Sequence, residues 1–397
     1  MSKHQRMGSL PTELILVILR WSIHIPGSLS TSFDSLFGYH RQLIIGRSHQ
    51  ATEARRTKLA LLRVCKSWCL MGRELMFECI SVGPRPALGE TIEVLQGVPL
   101  EYRCRTRRLD VNARSLRSSS DADYDIVRPL LRLLTLFPNL EILHITGAPS
   151  VPREGDIESL VNYIKLHLPH LKYVSCYDGM NWSRIARNRD RIAPPYISIH
   201  GMQSFSGFWA NNDQLMSIEN NTLTTLMLTF ERSTDFPLQG LKLPALRNFG
   251  AHKFSDRQPG LLSFLDTHGP QITSISLYCE LYQGRMEYDI LDRCTSLKEI
   301  IYSDTPRANI PSSEPYMNIS RLGLTGDPSC WRHQCIDATY FLTLFPNLEL
   351  VRLLSIEYSS PPQRYTQMVV ENLFTSRRGV AFQDAIGVPI PASSSNA

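Results

Sequence analysis

Leu134-Thr135-Leu136-Phe137-Pro138-Asn139-Leu140-Glu141 recurs as Leu342-Thr343-Leu344-Phe345-Pro346-Asn347-Leu348-Glu349, 208 residues later. An internal identity of that length points to a repeat, so a period is sought around it. Each copy runs on as apolar-x-x-apolar-x-apolar: Leu140, Leu143, Ile145 and Leu348, Val351, Leu353. The same spacing returns at Leu171, Val174, Cys176; at Leu223, Leu226, Leu228; and at Leu246, Phe249, Ala251. It continues at Ile272, Ile275, Leu277; at Leu297, Ile300, Tyr302; and at Ile319, Leu322, Leu324. Successive first positions are 31, 52, 23, 26, 25, 22 and 29 residues apart. The interval of 52 reads as two units, with Pro194, Ile197 and Ile199 as a degenerate copy, and the mean spacing is then 26.

The surroundings of these triplets fit a stacked fold. A chain-turning pair often precedes the first position: Pro138-Asn139, Pro169-His170, Pro244-Ala245, Pro270-Gln271 and Pro346-Asn347. Helical patterns at Ile157–Leu168, Leu261–His268 and Tyr288–Cys294 run just before several of the triplets. Helix, turn and short strand in rotation build an α/β solenoid, with one sheet of short parallel strands and helices on its outer face. Leu109 and Val111 alternate in a partial earlier unit, and Leu75–Val82 ends in a first strand. After Ser359-Ser360-Pro361-Pro362, a helix over Tyr365–Arg377 would cap the open core, and Pro389–Ala397 reads as a disordered tail.

Composition narrows the function classes. The chain has 397 residues, 43% hydrophobic and 20% charged, with a formal net charge of +5, which is an ordinary globular balance. Nine thinly spread cysteines do not make a disulfide scaffold and suit a reducing compartment, the cytoplasm or nucleus. No run approaches the roughly 18–20 apolar residues of a membrane helix. Leu14–Leu19 is six residues, shorter than the roughly 7–15 of a signal-peptide core.

The N-terminal segment has its own pattern. In Leu10-Pro11-Thr12-Glu13-Leu14, Pro11 suits a first helical turn and Glu13 complements the helix dipole. Leu14, Val17, Ile18 and Trp21 then share one helical face, yet Ile15, Leu16 and Leu19 are apolar too. Such a helix needs cover on more than one side. It packs into its own domain, or one face waits for another protein. A second apolar helix is expected over Leu59–Cys69, with Leu61, Cys65 and Trp68 on one face.

Leu10-Pro11-x-Glu13-Leu14, then Leu61-Leu62-Arg63-Val64-Cys65-Lys66-Ser67-Trp68, then Leu75-Met76-Phe77-x-x-Ile80 together resemble an F-box. The period of 26 lies within the roughly 20–29 of leucine-rich repeats. The body resembles the divergent repeats that follow the F-box in many receptors, including large fungal families. It departs from the regular consensus, since Thr146, Tyr177, Thr229 and His252 stand where an asparagine ladder would run. The resemblance implies a small helical F-box over 1–82, a solenoid over 83–358, and a capping helix with a tail over 359–397. Trp21 and Leu59 are separated by 37 residues, more than the family's usual spacing. Residues 22–58 therefore read as an insertion: Ser28–Ser32 and Gly46–Thr57 look loop-like, and Phe33–Ile45 is the candidate for the middle F-box helix.

F-box proteins are substrate receptors of SCF-type cullin–RING ubiquitin ligases, acting in ubiquitin-dependent protein degradation. The resemblance thus implies a non-catalytic protein–protein interaction subunit that uses no cofactor. Its partners would be a Skp-family adaptor and a target protein. It places Leu10, Pro11, Leu14, Ile18, Leu61, Leu62, Val64, Cys65 and Trp68 in or beneath the adaptor contact. The alternative is a repeat scaffold with no link to ubiquitin.

Other constellations point away from chemistry. No phosphate-cradling glycine loop, paired-histidine zinc motif or Gly-x-Ser-x-Gly elbow occurs. Cys330 and Cys335 make at most half of a four-ligand metal site. Cys65 and Cys69 read as small buried apolar residues, and His167, His170 and His268 as capping or surface groups. Arginines cluster at Arg103–Arg117 and Arg184–Arg191, but sparse aromatic interleaving and the small net charge argue against nucleic acid. The irregular Asp178–Asn221 stretch, with Trp182 and Trp209, would wall one edge of the solenoid. Residues between the apolar strand positions point to the other face of the sheet. They include His144, Tyr173, Ser175, Met227, Asn248, Ser276, Glu299, Arg321 and Arg352, and as one contiguous outward patch they form the expected target-binding surface.

Overall fold

Strands of three to seven residues that recur along the chain pair most simply with the next copy, and this chain does so throughout. In the computed structural model the described residues are 11–23, 28–45, 49–83, 88–112, 127–146, 154–177, 201–209, 219–230, 240–254, 259–279, 285–302, 315–325, 342–354, 379–385, 387 and 389. The strands are β1 (Cys79–Val82), β2 (Arg108–Asn112), β3 (Ile142–Thr146), β4 (Tyr173–Tyr177), β5 (Ser204–Trp209) and β6 (Thr225–Phe230). They continue as β7 (Asn248–Phe254), β8 (Ser274–Cys279), β9 (Glu299–Tyr302), β10 (Arg321–Leu324), β11 (Leu350–Leu353) and β12 (Ala381–Gln383). All twelve lie in one parallel sheet in sequence order.

Register carries the repeat into the core. Leu143, Val174, Phe205, Leu226, Phe249 and Ile275 are successive partners, and Ile300, Leu322, Val351 and Phe382 extend the row. Leu143, Leu226, Ile275 and Leu322, expected at one place in four units, are all buried in one cluster. Helices α7 (Val127–Leu134), α8 (Glu154–His167), α9 (Pro259–His268) and α10 (Arg285–Arg293) cover that row just before β3, β4, β8 and β9. Leu133, Ile164, Phe264 and Ile290 are the buried residues by which they seal it.

The turns are tied as well as the strands. In five units the polar residue before the first apolar position donates its side chain to a carbonyl of the preceding unit. Asn139 reaches Cys104 O at 2.9 Å, Thr222 reaches Met202 O at 2.9 Å, and Gln271 reaches Leu243 O at 2.7 Å. Asn318 reaches Thr295 O at 3.2 Å and Asn347 reaches Met317 O at 2.8 Å. The ladder missing after the strands thus stands before them, which gives Asn139 and Asn347 of the duplicated octapeptide a shared task.

Two parts of the solenoid differ from expectation. Residues 194–199 lie outside the described residues, and the strand of that unit is β5. Met202 and Phe205 hold its first two apolar positions; Gly207 holds the third, which hid the unit from an apolar filter. The sheet also runs one strand further, through β12, whose short span has only Phe382 and the preceding Val380 facing the core. Pro389 bridges antiparallel to Gln383. Tyr365–Arg377, Trp182, Arg184–Arg191 and Cys330–Cys335 lie outside the described residues.

At the β1 end stand α1 (Thr12–Ile23), α3 (His49–Leu62) and α4 (Lys66–Phe77), packed on one another. The Gly46–Thr57 stretch is a helix from His49 rather than a loop, since Gln50, Ala51, Glu53, Ala54, Arg55 and Arg56 are good helix formers whatever their polarity. The expected helix over Leu59–Cys69 is two helices. Cys65 is extended (φ −162°, ψ 169°), caps α4 and accepts from Trp68 N at 3.5 Å, which breaks the apolar run. Helix α5 (Leu88–Gln96) and the short α6 (Leu100–Arg103) follow β1, and Phe77 stacks on Tyr102 of α6 with ring centroids 5.6 Å apart, joining α4 to the solenoid.

The candidate for the middle helix behaves otherwise. Helix α2 (Leu36–Ile45) does form, but α3 is the helix that packs between α1 and α4 in sequence order. Phe33, Leu36, Phe37 and Tyr39 are apolar and lie against the sheet with Ile142, Tyr173, Met227, Ile301 and Leu354. The inserted segment therefore crosses the sheet face that the helices leave uncovered.

Candidate functional site

Two surfaces have the chemistry to meet a partner. The first is on α1. Leu19 points inward at 1% exposure, whereas Leu14, Ile18 and Val17 are exposed and Trp21 is 83% exposed. These four are the i, i+3, i+4, i+7 face read from the sequence, and it is open. Pro11, Val64 and Cys65 are exposed; Leu61, Leu62 and Trp68 are half-buried; Leu10 lies outside the described residues. Leu59 and Leu70 are exposed on the same three-helix group and were not singled out by the sequence. They lie on different helices, Leu59 on α3 and Leu70 on α4.

The second surface is the sheet face opposite the helices. The register sets out two rows across it. One runs through Arg108, Ile142, Tyr173, Ser204, Thr225, Asn248, Ser274, Glu299 and Arg321. The other runs through Asp110, His144, Ser175, Ser206, Met227, Gly250 and Ser276 to Ile301, Gly323 and Arg352. All nine residues expected to form the target surface lie in these rows. The expectation that they form an open patch fails. His144, Tyr173, Ser175, Met227, Asn248, Ser276 and Glu299 are buried, Arg352 is half-buried, and Arg321 is exposed.

The cover includes the chain's own residues 28–40, here called the strap. Arg108 Nη1 donates to Ser28 O at 2.8 Å, and Ser204 Oγ donates to Thr31 O at 2.7 Å. Asn248 Nδ2 donates to Phe33 O at 2.7 Å. Leu36 N donates to Ser274 Oγ at 3.1 Å, and Phe37 N donates to Glu299 Oε1 at 3.1 Å. The Arg352 guanidinium lies 4.6 Å from the Phe37 ring centroid. The strap thus passes from β2 to β11 as its residue numbers rise. Gly323 is needed where Phe37 passes, because a Cβ there would come within 2.8 Å of the ring. Phe33, Tyr39 and Tyr173 pack edge to face, with centroids 5.7 to 6.3 Å apart.

Burial and charge set the titration of this face. Burial pushes the Glu299 carboxyl up, against the hydrogen bonds from Ser274 and Phe37 N that favour its ionised form. At Asp110 burial also pushes up, but Arg108 at 2.9 Å and His144 outweigh it and hold the carboxyl below its usual range. Burial pushes the Tyr173 phenol up to about 12. These groups are tied to one another: Ser274 Oγ donates to Glu299 Oε1 at 2.5 Å, and His144 Nδ1 lies 3.4 Å from Asp110 Oδ1.

The basic stretch is largely engaged internally. Arg103 Nε donates to Val98 O at 3.0 Å, and Arg107 forms a two-pronged pair with Glu141 at 2.8 Å. Arg114 and Arg117 lie outside the described residues. His268 is buried, 2.9 Å from Leu241 O, and His167 lies against the Tyr163 ring. Among the described residues no group of three or more His, Cys, Asp or Glu is placed to hold a metal ion, and no helix is long and apolar enough to cross a membrane.

No protein-family model matches the chain, and no curated protein matches it.

Proposed function

We propose that this protein is a non-catalytic substrate receptor of an SCF-type ubiquitin ligase, working in the cytoplasm or nucleus. The α1–α3–α4 group is the F-box and docks on a Skp-family adaptor. The repeats hold a target protein, and the effect on rate comes from raising the target's local concentration at the ligase. The observation that carries this reading is the open stripe Leu14, Val17, Ile18 and Trp21, on a helix whose other side is already packed. A contiguous apolar stripe of that kind marks an interaction site, and Trp is a typical anchor.

The test is capture of a purified Skp-family adaptor by the full chain. Wild type should bind, and Leu14→Ala with Trp21→Ala should bind far more weakly while melting at the wild-type temperature. No capture by wild type would remove the ligase reading and leave a repeat scaffold in its place.

A further inference from the structure

The face under the strap is more polar than the helix side. On the helix side the sheet shows a row of Leu, Val, Ile and Phe; on the strap side Ser204, Thr225, Asn248, Ser274 and Glu299 stand among the apolar Ile142, Tyr173, Met227 and Ile301. The bonds that hold the strap backbone at Ser28, Thr31, Phe33, Leu36 and Phe37 end on side chains of the sheet, not on its ladder. The sheet is complete without it. The face also has hydrogen-bonding capacity that the strap leaves unused: Asn248 Oδ1 and His144 Nε2 are buried with no partner among the described residues. Finally, four residues separate the strap from α1, and three separate α2 from α3. The segment is therefore joined along the chain to the helical group at both ends.

We propose that the strap is a displaceable internal ligand, and that the groove beneath it binds a target peptide of the pattern Phe-x-x-Leu-Phe-x-Tyr that turns helical at its Leu, as the strap does at Leu36. The strap's own Phe33, Leu36, Phe37 and Tyr39 define that pattern. Asn248, Ser274 and Glu299 read the peptide backbone, Tyr173 and Met227 receive its aromatic end, and Arg352 lies over its second Phe. This rests on the reading that the repeats hold the target and does not depend on the adaptor. A tethered copy competes at a high local concentration, so an outside peptide meets a groove that is closed until the tether lets go.

The experiment uses the full chain with Phe33→Ser and Phe37→Ser, and a fluorescein-labelled peptide of residues 27–41 read by anisotropy. The variant should bind the peptide at least about tenfold more tightly than wild type, because its own competitor is weakened. Adding Asn248→Ala should abolish the gain, and a scrambled peptide should not bind. Equal affinity for variant and wild type would overturn the proposal. So would loss of the variant's cooperative melt, since a ligand that can leave must leave a folded sheet behind. Adaptor capture by the same proteins separates the two readings. Adaptor bound without peptide binding sinks the internal ligand alone; peptide bound without adaptor sinks only the ligase role.

Discussion

Asn248 and Phe249 are neighbours on β7, both fully buried, and they face opposite ways. Phe249 packs on Phe264 of α9 with ring centroids 5.2 Å apart, in a cluster that runs the length of the solenoid. Asn248 holds Phe33 O of the strap at 2.7 Å and Thr225 Oγ1 at 3.0 Å. One face is sealed by apolar area and the other by a few directed bonds with aromatic packing above them. Equal burial thus hides unequal commitment. The helix side is held by packing alone, while the strap side is held by packing and by bonds to the strap backbone.

The largest effect expected from that contrast is at Phe249. Phe249→Ala removes a buried ring from a continuous core and should cost about 3–5 kcal/mol, read from the urea midpoint. Asn248→Ala, one residue along, should cost about 1–3 kcal/mol, chiefly by leaving the Phe33 carbonyl buried without its donor. If the two variants melt alike, the faces are equivalent and the contrast is wrong.

How far the sequence discloses this follows from the same contrast. Phe249, Leu226, Ile275 and Leu322 are legible because a period of about 26 repeats the same chemistry unit after unit. The opposite rows are legible as positions too, since strand alternation sends Asn248 and Glu299 to the other side. Their cover is not. Phe33, Leu36, Phe37 and Tyr39 announce burial, but Phe33 meets Asn248 across 215 residues, and no local pattern encodes a partner so distant. Polar side chains that read as solvent-facing are polar here because they bind a backbone. β5 escaped because Gly207 replaces an apolar residue, and the break at Cys65 escaped because Leu59–Cys69 is apolar on both sides of it.

The next effect is in its sign rather than its size. Glu299, near the end of the strap, has its folded pKa raised, so its contribution is fully present below its unfolded pKa and lost as pH rises through the folded one. Asp110, beside Arg108 at the strap's start, has its folded pKa lowered, so its contribution is present above its unfolded pKa and lost as pH falls through the folded one. Stability against pH should therefore decline on both sides of the ordinary carboxylate range. Glu299→Gln should flatten the upper decline and Asp110→Asn the lower one, each read as the slope of melting temperature with pH. A Glu299→Gln profile that still declines above that range would place the titrating group elsewhere and detach the strap from it.

The smallest effect belongs to the α1 stripe, which separates apolarity from burial. Leu14 and Trp21 are as apolar as Phe249, yet they are 50% and 83% exposed, while Leu19 of the same helix is 1% exposed. Were the stripe merely a loosely packed part of the core, truncating it would cost stability in proportion to its size. If it is a docking face, its residues already sit in water in the free protein and their loss changes little. Leu14→Ala with Trp21→Ala should shift folding free energy by no more than about 0.5 kcal/mol, the range of ordinary surface changes. Leu19→Ala should cost about 2–5 kcal/mol, as buried Leu truncations do. Both are read from urea midpoints on the full chain. A double variant that loses as much as Leu19→Ala would mean that α1 is held from its outer side as well, and the stripe would then have no room for a partner.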